Sequence, residues 1–224
     1  MDGDADLAAV GALLAEPARA RMLAALGDGR ALPASVLAAE ARVAPSTASE
    51  HLAKLVRGGF LAVESLGRRR YFRLEGPEIA DVLEAIARVA PREPVRSLRE
   101  ATRAEALRHA RTCYDHLAGA LGTALLDAMV ERGIVAGEEI TADGVEALSG
   151  LGVDLDSVPG RRPLFRSCLD WSEQRPHAAG KLGAALAARC FELGWVERLD
   201  GSRAVRVTVV GEAGFADALG VVLP

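Results

Sequence analysis

Apolar residues recur at helical spacing in two short segments near the start of this chain. The pattern predicts a first helix over Pro33–Ala41, a turn at Arg42–Ala44, and a second helix over Ser46–Arg57. The pair Gly58–Gly59 ends the second helix. Two short helices joined by a turn in this way are typical of a helix-turn-helix.

A basic hairpin follows the second helix. Phe60–Val63 and Tyr71–Leu74 are short runs rich in apolar and aromatic residues, and they predict two strands joined through Glu64–Arg70. The connection contains three adjacent arginines, Arg68, Arg69 and Arg70. Guanidinium groups on a hairpin are suited to contact phosphates or the minor groove. The order of elements therefore predicts a winged helix-turn-helix that reads DNA.

The second helix carries the predicted contacts to bases. Its apolar residues, among them Ala48, Leu52 and Leu55, fall on one stripe. Polar side chains on the other face, near the helix N-terminus, can reach base edges and phosphates in the major groove. The residues expected to contact DNA are Ser46, Thr47, Ser49, His51 and Lys54 on this helix, with Arg68, Arg69 and Arg70 on the wing.

The distribution of charge supports a nucleic acid partner. The chain of 224 residues has 27 Lys and Arg against 31 Asp and Glu, and its net charge of −4 argues against nonspecific binding to polyanions. Between Arg42 and Arg73, however, there are seven basic residues and two acidic ones. The positive field is therefore concentrated on the predicted DNA-reading element. Considered without the neighbouring elements, however, a run of three arginines is more often a solvent-exposed turn that contacts no nucleic acid.

Three segments resemble the corresponding segments of ArsR/SmtB-type bacterial repressors, namely Leu14–Leu26, Val43–Leu55 and Gly67–Leu74. The resemblance covers about residues 5 to 90. It implies a homodimeric winged-helix domain that binds an inverted repeat in double-stranded DNA. A first helix over Leu7–Leu14 and a last helix over Pro77–Val89 would form the dimer interface. Two-fold symmetry would place the paired recognition helices about 34 Å apart, one turn of DNA.

The metal ligands of the metal-sensing members of that family are missing from their usual places. Those members carry Cys-x-Cys in the helix before the recognition helix, or Asp and His ligands in the last helix. Here the corresponding segments, Ala31–Leu37 and Glu78–Arg88, contain neither Cys nor His. Any sensing function is therefore expected elsewhere in the chain.

The chain is long enough for two domains. Pro91–Pro94 interrupts the helical pattern, and a charged helix resumes over Val95–Arg111. We expect a DNA-binding and dimerisation domain over residues 1–92, a connector helix over 93–111 and a C-terminal domain over 112–224. The predicted fold class is mainly α with small β hairpins (α+β).

The C-terminal half contains an internal repeat. The segment His116–Leu125 recurs as His177–Leu186, and each copy is followed by a glycine and a short apolar strand. The repeats extend over about 113–150 and 168–220, and a hairpin over Trp195–Val209 belongs to the second. Two such units predict a small α+β domain with pseudo-two-fold symmetry.

Cysteine and histidine cluster in the repeated segments. His109, Cys113 and His116 are spaced i, i+4 and i+7, which would place them on one face of a helix, and the second repeat adds Cys168 and His177. Thiolate and imidazole groups bind zinc or another thiolate-binding metal ion. The predicted metal set is Cys113, His116, Cys168 and His177. The spacing matches no tight motif, however, and both histidines could instead be helix caps or core hydrogen-bonding groups.

Other interpretations of the C-terminal half stay open. Cys113 and Cys168 could respond to an oxidant. An organic effector could bind with Asp115 or Asp170 as its polar anchor, in a pocket formed by Tyr114, Trp171 and Trp195. The domain could also be a purely structural module for dimerisation or partner binding. An effector domain changes DNA affinity when its ligand binds, and a structural module does not.

Several protein classes are not expected. The chain contains no dinucleotide-binding glycine pattern, P-loop, nucleophile elbow or His-Glu-x-x-His, so we do not expect an enzyme. It has no apolar run that could span a membrane, and its acidic start is unlike a signal peptide. Three cysteines without an export signal indicate reduced thiols and a cytoplasmic protein.

Overall fold

The computed structural model describes residues 4–67, 69–92 and 94–223. Two compact units are present, one ending at Leu83 and the other beginning at Glu84. The first unit contains α1 (Leu7–Leu14), α2 (Pro17–Ala25), β1 (Leu32–Pro33), α3 (Ala34–Ala41), α4 (Pro45–Arg57), β2 (Leu61–Leu66) and β3 (Arg69–Leu74). Helix α5 (Pro77–Val89) begins in the first unit and ends in the second.

The first unit has the architecture of a winged helix-turn-helix. Arg42 ends α3 in the left-handed conformation, and Pro45 begins α4, where its missing N–H costs no hydrogen bond. Strands β2 and β3 form the hairpin of the wing, and β1 pairs with the other edge of β3. The apolar faces of α2, α3 and α4 meet in a core that includes Met22, Leu37 and Leu52.

The predicted fold class, mainly α with small β hairpins, is confirmed. Helices α1 and α5 have the bounds that the resemblance implied, and α3 and α4 each begin within one residue of the predicted start. The wing strands extend farther toward the tip than predicted, because β2 continues to Leu66 and β3 begins at Arg69. Arg69 and Arg70 are therefore strand residues beside the tip.

The second unit contains α6 (Leu98–His109), β4 (Arg111–Cys113), β5 (His116–Ala118), α7 (Gly119–Glu131), β6 (Val135–Ala136), β7 (Glu139–Ile140), α8 (Ala142–Gly150), β8 (Arg166–Leu169), β9 (Pro176–Ala179), α9 (Gly180–Glu192), β10 (Val196–Arg198), β11 (Val205–Val207) and α10 (Val209–Leu219). Successive strands pair as antiparallel hairpins. None of the helices formed by the described residues is long and apolar enough to cross a membrane.

The internal repeat appears as two copies of hairpin, long helix, hairpin and short helix. Each long helix begins at a glycine with positive φ, Gly119 (76°) in α7 and Gly180 (74°) in α9. Thr141 and Thr208 cap the short helices by accepting a backbone N–H. Both copies contribute to one apolar core.

The expectation that His109, Cys113 and His116 share one helix face is wrong. Helix α6 ends at His109, and Cys113 then faces His116 across the hairpin of β4 and β5. Tyr114 adopts a left-handed conformation (φ 55°) in the tight turn between them. So short a segment fits the hydrophobic period of an α-helix as well as that of a β-strand. The packing of β5 against β9 and α9 favours the hairpin.

Gly183→Ala is expected to destabilise the second unit by about 1–3 kcal/mol. An added Cβ at Gly183 in α9 would overlap the backbone of Ala178 and lie 2.9 Å from Cβ of His116. Gly150→Ala in α8 is the matched control, because nothing lies within 4 Å of the added Cβ there. Urea unfolding measures both variants, and equal stability would contradict this close packing.

Candidate nucleic acid interface and metal centre

Helix α4 presents most of the predicted DNA-contacting side chains to solvent. The exposed ones are Ser46, Thr47, Ser49 and Lys54. The apolar residues of the opposite face are buried in the first unit. Ser49 Oγ donates to the Pro45 carbonyl oxygen at 3.0 Å, a common arrangement for a helical serine. The exposed face of α4 is therefore mostly polar, which is typical of a helix that enters a major groove.

His51 is half-buried and partly engaged within the protein. Its Nδ1 lies 3.4 Å from Nη1 of Arg19 in α2. Arg19 is buried and donates to the carbonyl oxygens of Ala12 (2.7 Å) and Leu13 (2.6 Å) at the end of α1. Nδ1 of His51 thus faces Arg19, and this contact does not involve the other ring nitrogen.

The wing presents two exposed arginines, Arg69 and Arg70, at the start of β3. The third arginine of the predicted wing set, Arg68, lies outside the described residues. The guanidinium of Arg70 lies 5.7 Å from the centre of the Phe72 ring. Arg73, farther along β3, pairs with Glu64 on β2 at 2.7 Å. Arg69 and Arg70 therefore carry the positive charge of the described wing residues toward solvent.

The structure brings together all four residues of the predicted metal set. Cys113 and His116 face each other across one hairpin, and Cys168 and His177 face each other across the equivalent hairpin of the second repeat. All four residues are buried, and their ligand atoms lie within 4.8 Å of one another. Each repeat thus contributes one thiol and one imidazole to this Cys/His cluster.

Each imidazole of the Cys/His cluster has a carboxylate beside Nδ1. His116 Nδ1 lies 3.4 Å from Asp115 Oδ1, and His177 Nδ1 lies 3.2 Å from Asp170 Oδ2, the latter without the alignment of a hydrogen bond. The Nε2 atoms of both rings are buried, and neither has a hydrogen-bond partner among the residues that the structure describes. A carboxylate at Nδ1 favours the tautomer whose Nε2 lone pair can bind a metal.

The two thiols of the cluster interact with each other. Interaction with the Cys113 thiol lowers the pKa of Cys168, and the neighbouring imidazoles of His116 and His177 act in the same direction. The same contact and burial raise the pKa of Cys113. The pair therefore favours a thiolate on Cys168 with Cys113 as its donor. A cysteine binds a metal ion as a thiolate. The lowered pKa of Cys168 therefore favours the form of this side chain that a metal ion needs.

Asp170 is a fixed, fully bonded carboxylate. Its Oδ2 accepts from the N–H of Gly119 (2.7 Å) and from Nη2 of Arg111 (3.0 Å), and its Oδ1 accepts from Ser172 Oγ (2.7 Å). Burial alone would raise the pKa of Asp170, but His177, Arg111 and these donors lower it. Asp170 therefore orients His177, and its oxygens are not left for an organic ligand.

Arg111 and Glu84 complete the network of buried charges around Asp170. Neither residue belongs to a sequence motif. Nη2 of Arg111 lies 3.0 Å from Asp170 Oδ2 and 3.5 Å from Glu84 Oε2. Glu84 Oε1 accepts a hydrogen bond from Arg203 at 3.0 Å. A weak signal for Glu84 exists in the sequence, because it lies one turn after buried Ala80 on α5.

The aromatic residues considered for an organic pocket have separate neighbours. The closest ring contacts are Tyr114 with Arg162 (5.6 Å), Trp171 with Arg92 (4.9 Å) and Arg111 (4.8 Å), and Trp195 with Phe215 (4.9 Å). These contacts do not form a shared wall. Trp195 is buried in the core, and Trp171 stacks against cations.

The Cys/His cluster has the donor set of a tetrahedral metal site. Zinc binds thiolates at about 2.3 Å and imidazoles at about 2.0–2.1 Å, so donor atoms in such a site lie roughly 3.3–3.8 Å apart. Ligand atoms already within 4.8 Å of one another need only small side-chain movements to reach that spacing. Mixed sulfur and nitrogen ligands also suit other soft or borderline metal ions.

Comparison with known sequences finds two matches. A family model described as a helix-turn-helix domain matches residues 14–64. The uncharacterized HTH-type transcriptional regulator YdfF of Bacillus subtilis (strain 168) is 40% identical over 221 residues. That alignment covers 96% of this chain and 98% of YdfF, so it includes both the α4 region and the Cys/His cluster.

Two similar solved structures each cover about two fifths of this chain. The homodimeric winged helix-turn-helix DNA-binding domain of Mb0332 from Mycobacterium bovis is 28% identical, with a TM-score of 0.35, and covers 40% of this chain and 89% of its own. The cadmium sensor CMTR from Mycobacterium tuberculosis is 30% identical, with a TM-score of 0.32, and covers 41% of this chain and 98% of its own.

Proposed function

Because this chain belongs to the family of HTH-type transcriptional regulators, we propose that it is a homodimeric repressor that leaves its DNA when an effector binds. Its target is an inverted repeat in double-stranded DNA. The observation that carries the DNA-binding part is the exposed polar face of α4 together with exposed Arg69 and Arg70 on the wing. A cytoplasmic location, where thiols stay reduced, and a purely regulatory, non-enzymatic role are parts of the proposal.

The proposed DNA contacts divide between base edges and phosphates. Those on α4 are Ser46, Thr47, Ser49, His51 and Lys54, and those on the wing are Arg68, Arg69 and Arg70. Selection from a random duplex library with the full-length protein tests the proposal. Enrichment of an inverted repeat supports it, and a library without an enriched sequence contradicts sequence-specific binding.

Arg69→Ala is expected to weaken binding to all duplexes alike and to flatten the slope of log K against log salt by about one. The reason is that loss of one phosphate contact leaves about one counterion unreleased. Fluorescence anisotropy at several salt concentrations measures the slope. Arg161→Ala, which removes an exposed arginine of the second unit, is the matched control. An unchanged slope for Arg69→Ala would rule out the proposed wing contact.

The proposed homodimer is supported by exposed apolar residues on α1 and α5. Leu7 of α1 is 77% exposed and Val89 of α5 is 83% exposed. Val82 and Ile86 lie at helical spacing along α5 and are exposed as well. Such side chains are suited to burial against a second copy. Native mass spectrometry tests the dimer, and a monomer at micromolar concentration would contradict it.

For the effector, we propose a zinc ion or another thiolate-binding metal ion at Cys113, His116, Cys168 and His177. The supporting observation is that two imidazole Nε2 atoms lie buried beside two thiols and have no hydrogen-bond partner within the described part of the chain. The C-terminal domain predicted over residues 112–224 is then the sensor. Native mass spectra recorded with and without added Zn²⁺ test the site. One metal per chain supports it, and a chain that binds no zinc contradicts it.

The proximity of the Cys113 and Cys168 sulfur atoms, which lie within 4.8 Å of each other, favours a second candidate effector, an oxidant. One peroxide molecule would oxidise the two thiols to a disulfide and yield two water molecules. Release of DNA by peroxide from a metal-free protein would support this candidate. If neither zinc nor peroxide changes DNA affinity, the C-terminal domain is a structural module.

A further inference from the structure

A buried chain of charged groups leads from the Cys/His cluster to helix α5. Asp170 Oδ2 lies 3.2 Å from His177 Nδ1 and accepts from Arg111, which lies 3.5 Å from Glu84 Oε2. Glu84 belongs to α5, the helix that begins in the first unit. We propose that Asp170, Arg111 and Glu84 form a relay that transmits metal binding at the cluster to α5. This inference rests on the metal site proposed above.

The relay is shielded from water. The side chains of Asp170 and Arg111 are completely buried, and that of Glu84 is nearly so. Charges in such surroundings act on one another more strongly than charges at the surface, so a change at one end affects the other.

Glu84 has two partners, which gives the relay two arrangements. Its Oε1 accepts from Arg203 at 3.0 Å, whereas its Oε2 lies 3.5 Å from Arg111 Nη2 and has no hydrogen bond. Nε of Arg111 is also buried without a hydrogen-bond partner. Buried unpaired groups are costly, so a small shift of Arg111 toward Glu84 would gain a hydrogen bond. Glu84 can therefore form its stronger ion pair either with Arg203 or with Arg111.

A metal ion bound at the cluster would change the choice of Glu84 between Arg203 and Arg111 through Asp170 Oδ2. That oxygen accepts from Arg111 and from the N–H of Gly119, and His177 Nδ1 lies 3.2 Å from it. When Nε2 of His177 is committed to a metal, the ring proton resides on Nδ1, and this N–H becomes a stronger donor. His177 then competes with Arg111 for the oxygen, and Arg111 moves toward Glu84 on α5.

Glu84→Gln tests the relay, because glutamine keeps the shape of the side chain and removes its charge. Glu78→Gln is the matched control, since Glu78 is exposed on the same helix. Full-length wild type and both variants are compared metal-free and with Zn²⁺. The measurements are zinc affinity by chelator competition, affinity for a selected duplex, and hydrogen exchange of the α5 amides.

In wild type and in Glu78→Gln, zinc is expected to change duplex affinity by about tenfold and to change the exchange of α5. In Glu84→Gln, zinc affinity is expected to stay within about threefold of wild type, whereas the zinc-dependent change in duplex affinity falls below about twofold. The change in α5 exchange is expected to disappear with it.

Undiminished zinc effects in Glu84→Gln would overturn the relay and leave the metal site intact. Zinc binding to wild type without any change in α5 exchange would also overturn the relay. A wild-type chain that binds no zinc would overturn the metal site and the relay together. The measured zinc stoichiometry therefore distinguishes failure of the relay from failure of the proposed effector.

Discussion

Replacing Cys168 with alanine is expected to lower the affinity for Zn²⁺ by more than about 100-fold. Loss of a residue that only orients a metal ligand typically costs about 10–100-fold, and Cys168 is a proposed ligand itself. The change also removes the thiol whose pKa is lowered by its neighbours Cys113, His116 and His177. Competition with a chromophoric chelator under reducing conditions measures the affinity.

Cys190→Ala provides the control for this substitution. Cys190 is also a buried cysteine of the second unit, but it lies in the apolar core, where burial raises its thiol pKa to about 12. We expect zinc binding by Cys190→Ala to match that of the wild type. Equal zinc affinity of the wild type and both variants would show that Cys168 is not a ligand.

Arg111→Met is expected to lower the free energy of unfolding of the second unit by about 3–5 kcal/mol. The substitution leaves the buried carboxylates of Asp170 and Glu84 without the cation between them. Methionine fills much of the same space, so the loss measures chiefly the unpaired charges. Urea unfolding followed by tryptophan fluorescence reports on this unit, because both tryptophans, Trp171 and Trp195, belong to it.

Arg206→Met makes the same chemical change in an exposed ion pair. Arg206 pairs with Glu197 on the hairpin of β10 and β11, and its side chain is 65% exposed. An exposed pair contributes about 0–1 kcal/mol, so this variant is expected to remain nearly as stable as wild type. A loss of that small size for Arg111→Met would contradict the structural importance of the buried network.

The winged helix could be predicted from the sequence because its signals are local. The turn at Arg42–Ala44, the two glycines after α4 and the arginines beside the wing tip follow one another within a short stretch. Recognition of a helix-turn-helix regulator is confirmed by the relation to YdfF over nearly the whole chain. The identity of the DNA-contacting residues remains a prediction.

The Cys/His cluster could be predicted only in part. The repeat pointed to Cys113, His116, Cys168 and His177, and the structure places them together. The helix predicted for Cys113 and His116 was wrong, because the eight residues from His109 to His116 fit either a helix or a hairpin. Contacts between the repeats, far apart in sequence, select the hairpin.

The buried network around Arg111 could not be predicted from sequence patterns. A single arginine in a short strand and a single glutamate in an amphipathic helix are usually solvated. Their burial depends on partners as distant in sequence as Asp170 and Arg203. Only the three-dimensional arrangement shows that these charges compensate one another.

The most direct test of the regulatory account is a Zn²⁺ titration of the complex between the wild-type chain and its selected duplex, followed by fluorescence anisotropy. Cys168→Ala is titrated in parallel. We expect the wild type to release the duplex as zinc approaches one ion per chain, and Cys168→Ala to retain it. A complex that persists at saturating zinc, or equal release from Cys168→Ala, would contradict metal-controlled DNA binding through the Cys/His cluster.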